Sequence, residues 1–323
     1  MKYLETKITW YQGKVFLWSL LAVLLWINPA FAFNSFASGK FYHKAITHQG
    51  IKNVSGTLKI LNPDKTIKFS DVAILRIHKA VRNVDVEDLF VGSEGSALKG
   101  GNPHCENEEL LACSALVMMY RKRILEILTK QNLPQNAGPI VWNALGKALH
   151  TVQDYYSNSN WVERGNTQTN HFLFGDSTKA GGLLPPTELP PKPFANVAPA
   201  CQPALSGSQV VNLADYPTSG FALNGNICDV TAAHPGRCVQ GCTGPLCEQI
   251  PNSTCAGMNK KTPDELGGHA QGLHQIAGNL AIQATTEFVT QIISQLQNDQ
   301  SIGQEQKDYA LCAFLDSNAC VVE

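Results

Sequence analysis

All ten cysteines of the 323-residue chain lie beyond position 100, and six of them crowd between Cys201 and Cys255. The crowded stretch, about residues 180–262, is rich in Gly and Pro and has no apolar periodicity. On either side, apolar residues recur at helical spacing. Such a chain folds as an all-α body interrupted by an irregular, disulfide-rich insertion. Cys238, Cys242 and Cys247 are spaced C-x3-C-x4-C, a poor match to the paired C-x2-C of zinc knuckles. Disulfides are therefore expected, up to five from ten cysteines, with connectivity left open.

The oxidising compartment that disulfides need is written into the first residues. Lys2, Lys7 and Lys14 precede an apolar run from Val15 to Ile27, then Asn28-Pro29 and Ala30-Phe31-Ala32. This is the order of a secretory signal peptide with its small-residue cleavage site. The run would make a helix of about 20 Å, short of a bilayer core of about 30 Å. A signal peptide over 1–32, removed after Ala32, predicts an exported single domain, periplasmic or secreted, over 33–323 with Phe33 at its start. That domain would carry a net charge of −3. Arg121-Lys122-Arg123 is the one dense basic run. The charge balance disfavours a nucleic acid partner and leans towards a phospholipid or another phosphodiester.

Periodicity and capping predict helices over 43–54, from Ser70 to about Val81 with Asp85 at its close, and over 106–130, 139–156, 268–296 and 304–314. Residues 56–68 read as a small hairpin. On the helix of residues 139–156, Val141, Leu145, Ala148, Leu149, Val152 and Tyr156 form an apolar stripe. His150, Asp154 and Asn158 fall on the opposite face. An imidazole and a carboxylate at i, i+4 can hold a divalent metal, although a polar face of this kind is more often simply solvated. His43, Asp85 and His104 sit at helix ends, where a metal site between helices would need them. Tyr155, Tyr156 and Trp161 read first as core residues, with contact to a lipid or base as the alternative. His171 and His234 lie in loop-like sequence and are not expected to be ligands.

The run from His150 to Glu163, His-Thr-Val-Gln-Asp-Tyr-Tyr-Ser-Asn-Ser-Asn-Trp-Val-Glu, resembles the signature of the HET-C family, named after a fungal heterokaryon-incompatibility protein. Segments beginning at His43, His104, Thr218, Pro235, Gly257 and His269 extend the likeness over roughly residues 40–296. HET-C domains are in turn distantly similar to zinc-dependent phospholipases C and P1-type nucleases. The resemblance implies a helical phospholipase C-like domain with one zinc on the Phe33 amine, His43 and Asp154. A second zinc would take Asp85, His104, His150 and Asp154. A third site is incomplete by that likeness. Asn158 stands where HET-C relatives commonly have His, and Gly278 falls where the phospholipases carry Glu after their His, leaving Asn158, His269 and His274 as its candidates. Two zinc ions are thus implied. They would serve phosphodiester hydrolysis in which Asp85 is a ligand or the base orienting water. The alternative is a catalytically silent module that binds a lipid or protein partner.

Overall fold

The computed structural model describes residues 40–55, 68–91, 103–105, 110–159, 161–162, 165–174 and 272–316, together with four short strands between 203 and 240. The scaffold is mostly helical. In chain order the helices are α1 (His43–Ser55), α2 (Asp71–Val91), α3 (Leu110–Leu128), α4 (Ala137–Asn158), α5 (Leu273–Asn298) and α6 (Gln304–Leu315). A 3-10 turn spans His171–Phe174. Strands β1 (Pro203–Ser206) and β2 (Gln209–Asn212) pair antiparallel, and β3 (Phe221–Ala222) pairs parallel with β4 (Val239–Gln240). These pairs give local order to a segment whose sequence reads as irregular. The expected hairpin over 56–68 lies, but for Lys68, outside the described residues, and the Cys238, Cys242, Cys247 cluster lies wholly outside them. Among the described residues, no helix is long and apolar enough to cross a membrane.

α4 is the central rod, packed against α2, α3, α5 and α6. Its apolar stripe enters the core as the 3.6-residue period dictates: Val141, Leu145, Ala148, Leu149 and Val152 have no exposed surface. The indole N–H of Trp142 donates to the carbonyl of Phe314 at 2.7 Å, tying α4 to α6. The polar stripe is buried as well, so the expectation of a solvated face fails. α4 is surrounded from Ala148 to Asn158, and no residue of that stretch is exposed.

α2 begins where the sequence places its cap. The Ser70 hydroxyl accepts from the Ala73 N–H at 3.0 Å and donates to Asp316 at 2.6 Å. It runs on to Val91, past the expected stop near Val81. No Gly or Pro interrupts residues 71–91, and Val84 and Asp85 turn inward, so burial sustains the helix beyond the polar Arg82-Asn83 pair. Asp85 therefore sits within a helix and not at its close. The approach of α2 to α4 is set by Gly146, where a Cβ would meet Ala80 Cβ at 2.5 Å and the Ile77 carbonyl at 2.6 Å. Any side chain there would force the helices apart. Cys105 and Cys113 form a disulfide that joins the His104 segment to the start of α3. Cys312 is also disulfide-bonded.

Candidate metal centre

Four segments deliver imidazoles and carboxylates to one buried point beside the C-terminal half of α4. His43 comes from the first turn of α1, Asp85 from α2, and His104 from the turn before α3. His150 and Asp154 come from successive turns of α4. His43, Asp85, His150 and Asp154 are at most 1% exposed, and His104 is 8% exposed. Helical spacing accounts for the last pair, and the close α2–α4 approach brings Asp85 to face His150.

Asp154 sits between the imidazoles. Its Oδ1 lies 3.0 Å from His43 Nε2, and its Oδ2 lies 2.7 Å from His104 Nδ1 and 3.0 Å from His150 Nε2. His150 Nε2 is also 3.1 Å from His104 Nδ1 and 3.6 Å from Asp85 Oδ1. The rings of His43 and His150 stack at 4.4 Å. Burial would raise the Asp154 carboxyl, but His150, His43 and His104 outweigh it and hold the group well below the usual carboxylate range. Burial would likewise lower the His43 imidazole. Asp154 first and Asp85 second outweigh that, leaving it above its ordinary value.

Hydrogen bonding accounts for only part of this arrangement, the contacts among His104, Asp154 Oδ2 and His150 Nε2. Both carboxylate oxygens of Asp85 are buried without a hydrogen-bond partner, as are Asp154 Oδ1 and His150 Nδ1. Asp154 Oδ1 and His43 Nε2 stand at ion-pair distance, 3.0 Å. A buried carboxylate with no donor is destabilising by several kcal/mol unless a cation stands against it. The donor chemistry, imidazole nitrogens and carboxylate oxygens at near-contact distances, is that of zinc or a similar divalent ion. Two donor sets emerge: His43, His150 and Asp154, and Asp85, His104 and His150. In each set, one ligand atom per residue lies within 4.8 Å of the others.

The remaining sequence candidates fall elsewhere. Asn158 is buried one turn beyond Asp154, but its amide donates to the His104 carbonyl at 2.7 Å and its oxygen accepts from the Ser157 hydroxyl at 3.1 Å. It braces the His104 turn. His274 opens α5, packed edge-on to Phe41 at 5.8 Å and tilted against Tyr42. Phe33 and His269 lie outside the described residues. His171 stands 3.7 Å from Glu287, apart from the donor sets. Tyr155, Tyr156 and Trp161 are core residues, with Asn170 donating to both tyrosine hydroxyls. A surface cleft of about 720 Å³ beside α3 and α5, lined by Arg121, Glu126 and Gln295, contains none of the donors.

Sequence reasoning missed Gln153, Thr47 and Thr285. The Gln153 oxygen lies 2.7 Å from His43 Nδ1, while its NH2 donates to Thr47 at 2.9 Å and Thr285 at 3.2 Å. Thr47 is i+4 from His43, and Gln153 is i+3 from His150. That spacing was the available signal.

Fold and site together define a helical bundle with a buried histidine–aspartate centre at its middle helix. The sequence profile of the VWA7 N-terminal domain family matches residues 67–302, and the chain belongs to that family. It is 30% identical over 156 residues to von Willebrand factor A domain-containing protein 7 of Rattus norvegicus. The aligned region is 47% of this chain and 15% of that relative, so the chain spans only a small part of the relative's length. No solved structure matches. These matches overturn the HET-C resemblance: its short polar motifs on and around α4 occur here in a chain of another family. The donor set therefore stands on geometry and not on that likeness.

Proposed function

We propose that the chain is a metal-dependent hydrolase that binds two divalent cations, zinc by donor preference, and acts on a phosphodiester, with phospholipid favoured over nucleic acid. The observation that carries the reading is Asp85, a fully buried carboxylate without a hydrogen bond, facing His150 and one helix away from Asp154. His150 Nε2 serves one cation at a time, because it offers a single lone pair. The donors then divide unequally. Asp85, His104, His150 and Asp154 Oδ2 supply four groups, enough for a tetrahedral site. His43 and Asp154 Oδ1 supply two, and the Phe33 amine freed by cleavage after Ala32 would supply a third. Asp154 links the two subsites through its two oxygens. Bound zinc would lower the pKa of water to about 7 and neutralise phosphoryl oxygens. Asp85 would ligate a cation or accept a proton from the attacking water. A phospholipase C-like helical arrangement, with residues 180–262 as its disulfide-rich insertion, belongs to the same proposal. A net charge of −3 over residues 33–323 and the lack of an Arg/Lys stripe are what lean it towards lipid.

The test is metal analysis of the purified protein, followed by hydrolysis assays on phosphatidylcholine and single-stranded DNA with and without zinc. We expect at least one tightly held zinc and zinc-dependent release of phosphocholine. Protein that remains metal-free in added zinc sinks the reading. The second reading, a silent lipid- or partner-binding module, is favoured by Asn158, whose polar atoms are spent on His104 and Ser157. Zinc bound tightly with no turnover of either substrate would select it.

A further inference from the structure

We infer that Gln153 is a positioning residue that fixes the tautomer in which His43 presents Nε2 to a cation. The inference rests on the reading of this centre as a divalent-cation site and deepens it.

Gln153, Thr47 and Thr285 are all fully buried. They come from α4, α1 and α5, so the contact locks three helices at one point. A side-chain amide is polar in two different senses: its oxygen only accepts, and its NH2 only donates. Here the NH2 spans two hydroxyl oxygens, Thr47 and Thr285, and the oxygen is turned to His43 Nδ1 at 2.7 Å. An acceptor at that distance places the imidazole proton on Nδ1. The other nitrogen, Nε2, is then the one left to offer a lone pair when a cation displaces any proton there, and it stands 3.0 Å from Asp154 Oδ1. Asp154 Oδ1 accepts no hydrogen bond, so it too can turn to a cation placed beside His43 Nε2. The amide's own orientation is held by close packing as well. Across the α1–α5 contact, the Thr285 methyl lies where a Cβ on Gly50 would fall, so Thr285 cannot withdraw from the amide without opening that contact. Outer-shell partners of this kind commonly change metal affinity by about 10–100-fold when removed.

The experiment compares wild type, Gln153→Glu and Gln153→Leu in chelator competition for zinc, with the nitrogen shifts of the His43 ring read by NMR in both metal-free and zinc-loaded protein. Gln153→Glu keeps an acceptor opposite Nδ1 and should hold zinc within about threefold of wild type. Gln153→Leu should weaken it about 10–100-fold and populate the Nε2–H form. Should Gln153→Leu fail to fold, Thr285→Ala, which removes one amide anchor, should give a smaller loss in the same direction. Zinc affinity unchanged in Gln153→Leu, or a proton on Nε2 rather than Nδ1 in wild type, overturns the inference. Wild type that binds no zinc defeats the proposed function instead, while the metal-free spectrum still reads where the His43 proton sits.

Discussion

The same two helices, α2 and α4, meet through two carboxylate–base contacts that differ in almost every physical respect. At the surface, Lys147 reaches Glu87 at 2.7 Å, with the carboxylate half exposed. Inside, His150 faces Asp85 at 3.6 Å, both fully buried, with the Asp85 oxygens unbonded. The first pair is well made and worth about 0–1 kcal/mol, because water already solvates both ends. The second is poorly made and destabilising on its own, because desolvation of a carboxylate exceeds what a distant imidazole returns. Contacts kept for stability look like the first. The second makes sense as a receptor for charge that arrives from outside the chain.

Substitutions can break this contrast. The largest effect should come from Asp154→Ala, which removes the carboxylate that stands against His43, His104 and His150 together. Zinc affinity should fall by at least about 100-fold, measured by chelator competition, and zinc should no longer raise the melting temperature. Next, Asp85→Asn should act in opposite directions on the two states. Metal-free protein should gain about 1–3 kcal/mol in urea denaturation, because a buried carboxylate whose oxygens accept no hydrogen bond is gone. Zinc binding should weaken in the same variant. A loss of metal-free stability would place Asp85 with the ordinary ion pairs.

A third effect lies on the flank of α2 that faces α1. Burial first, then the positive charge of His48 and Lys44, pushes His78 down to about 4. The unfolded chain binds this proton at its ordinary value near 6.5 and the folded chain does not, so stability should fall as pH drops from about 6.5 to 4. Allowing for partial solvent access, the loss should be below about 2 kcal/mol. His78→Gln should flatten that part of the pH profile. Lys147→Ala should show the smallest effect, under about 1 kcal/mol with zinc affinity unchanged.

The helices were legible because their signals are local. The stripe from Val141 to Val152 and the Ser70 cap each declare themselves within a few residues. The length of α2 was not, since Asn83 and Asp85 read as helix-breaking polar residues until burial against α4 is known. The i, i+4 pair His150 and Asp154 was visible, as were the other three donors as residue types. Their convergence depends on helix crossings between segments up to 111 positions apart, which no window of sequence records. Gln153 escaped because an uncharged amide between an imidazole and a carboxylate looks like one more solvent-facing residue. The family likeness misled for a related reason. A short polar motif reports the chemistry of one helix turn, whereas family membership is carried by the whole pattern over residues 67–302.

Gly146 lies one turn before His150, and the Val81 backbone it presses on lies one turn before Asp85. The crossing is thus a fulcrum just below the donors, and its thickness sets the jaw width between them. A methyl group added at this pivot would spread Asp85 from His150 without altering any ligand. The calibre of the opening, and with it which ionic radius fits best, can be tuned from a residue that has no side chain at all.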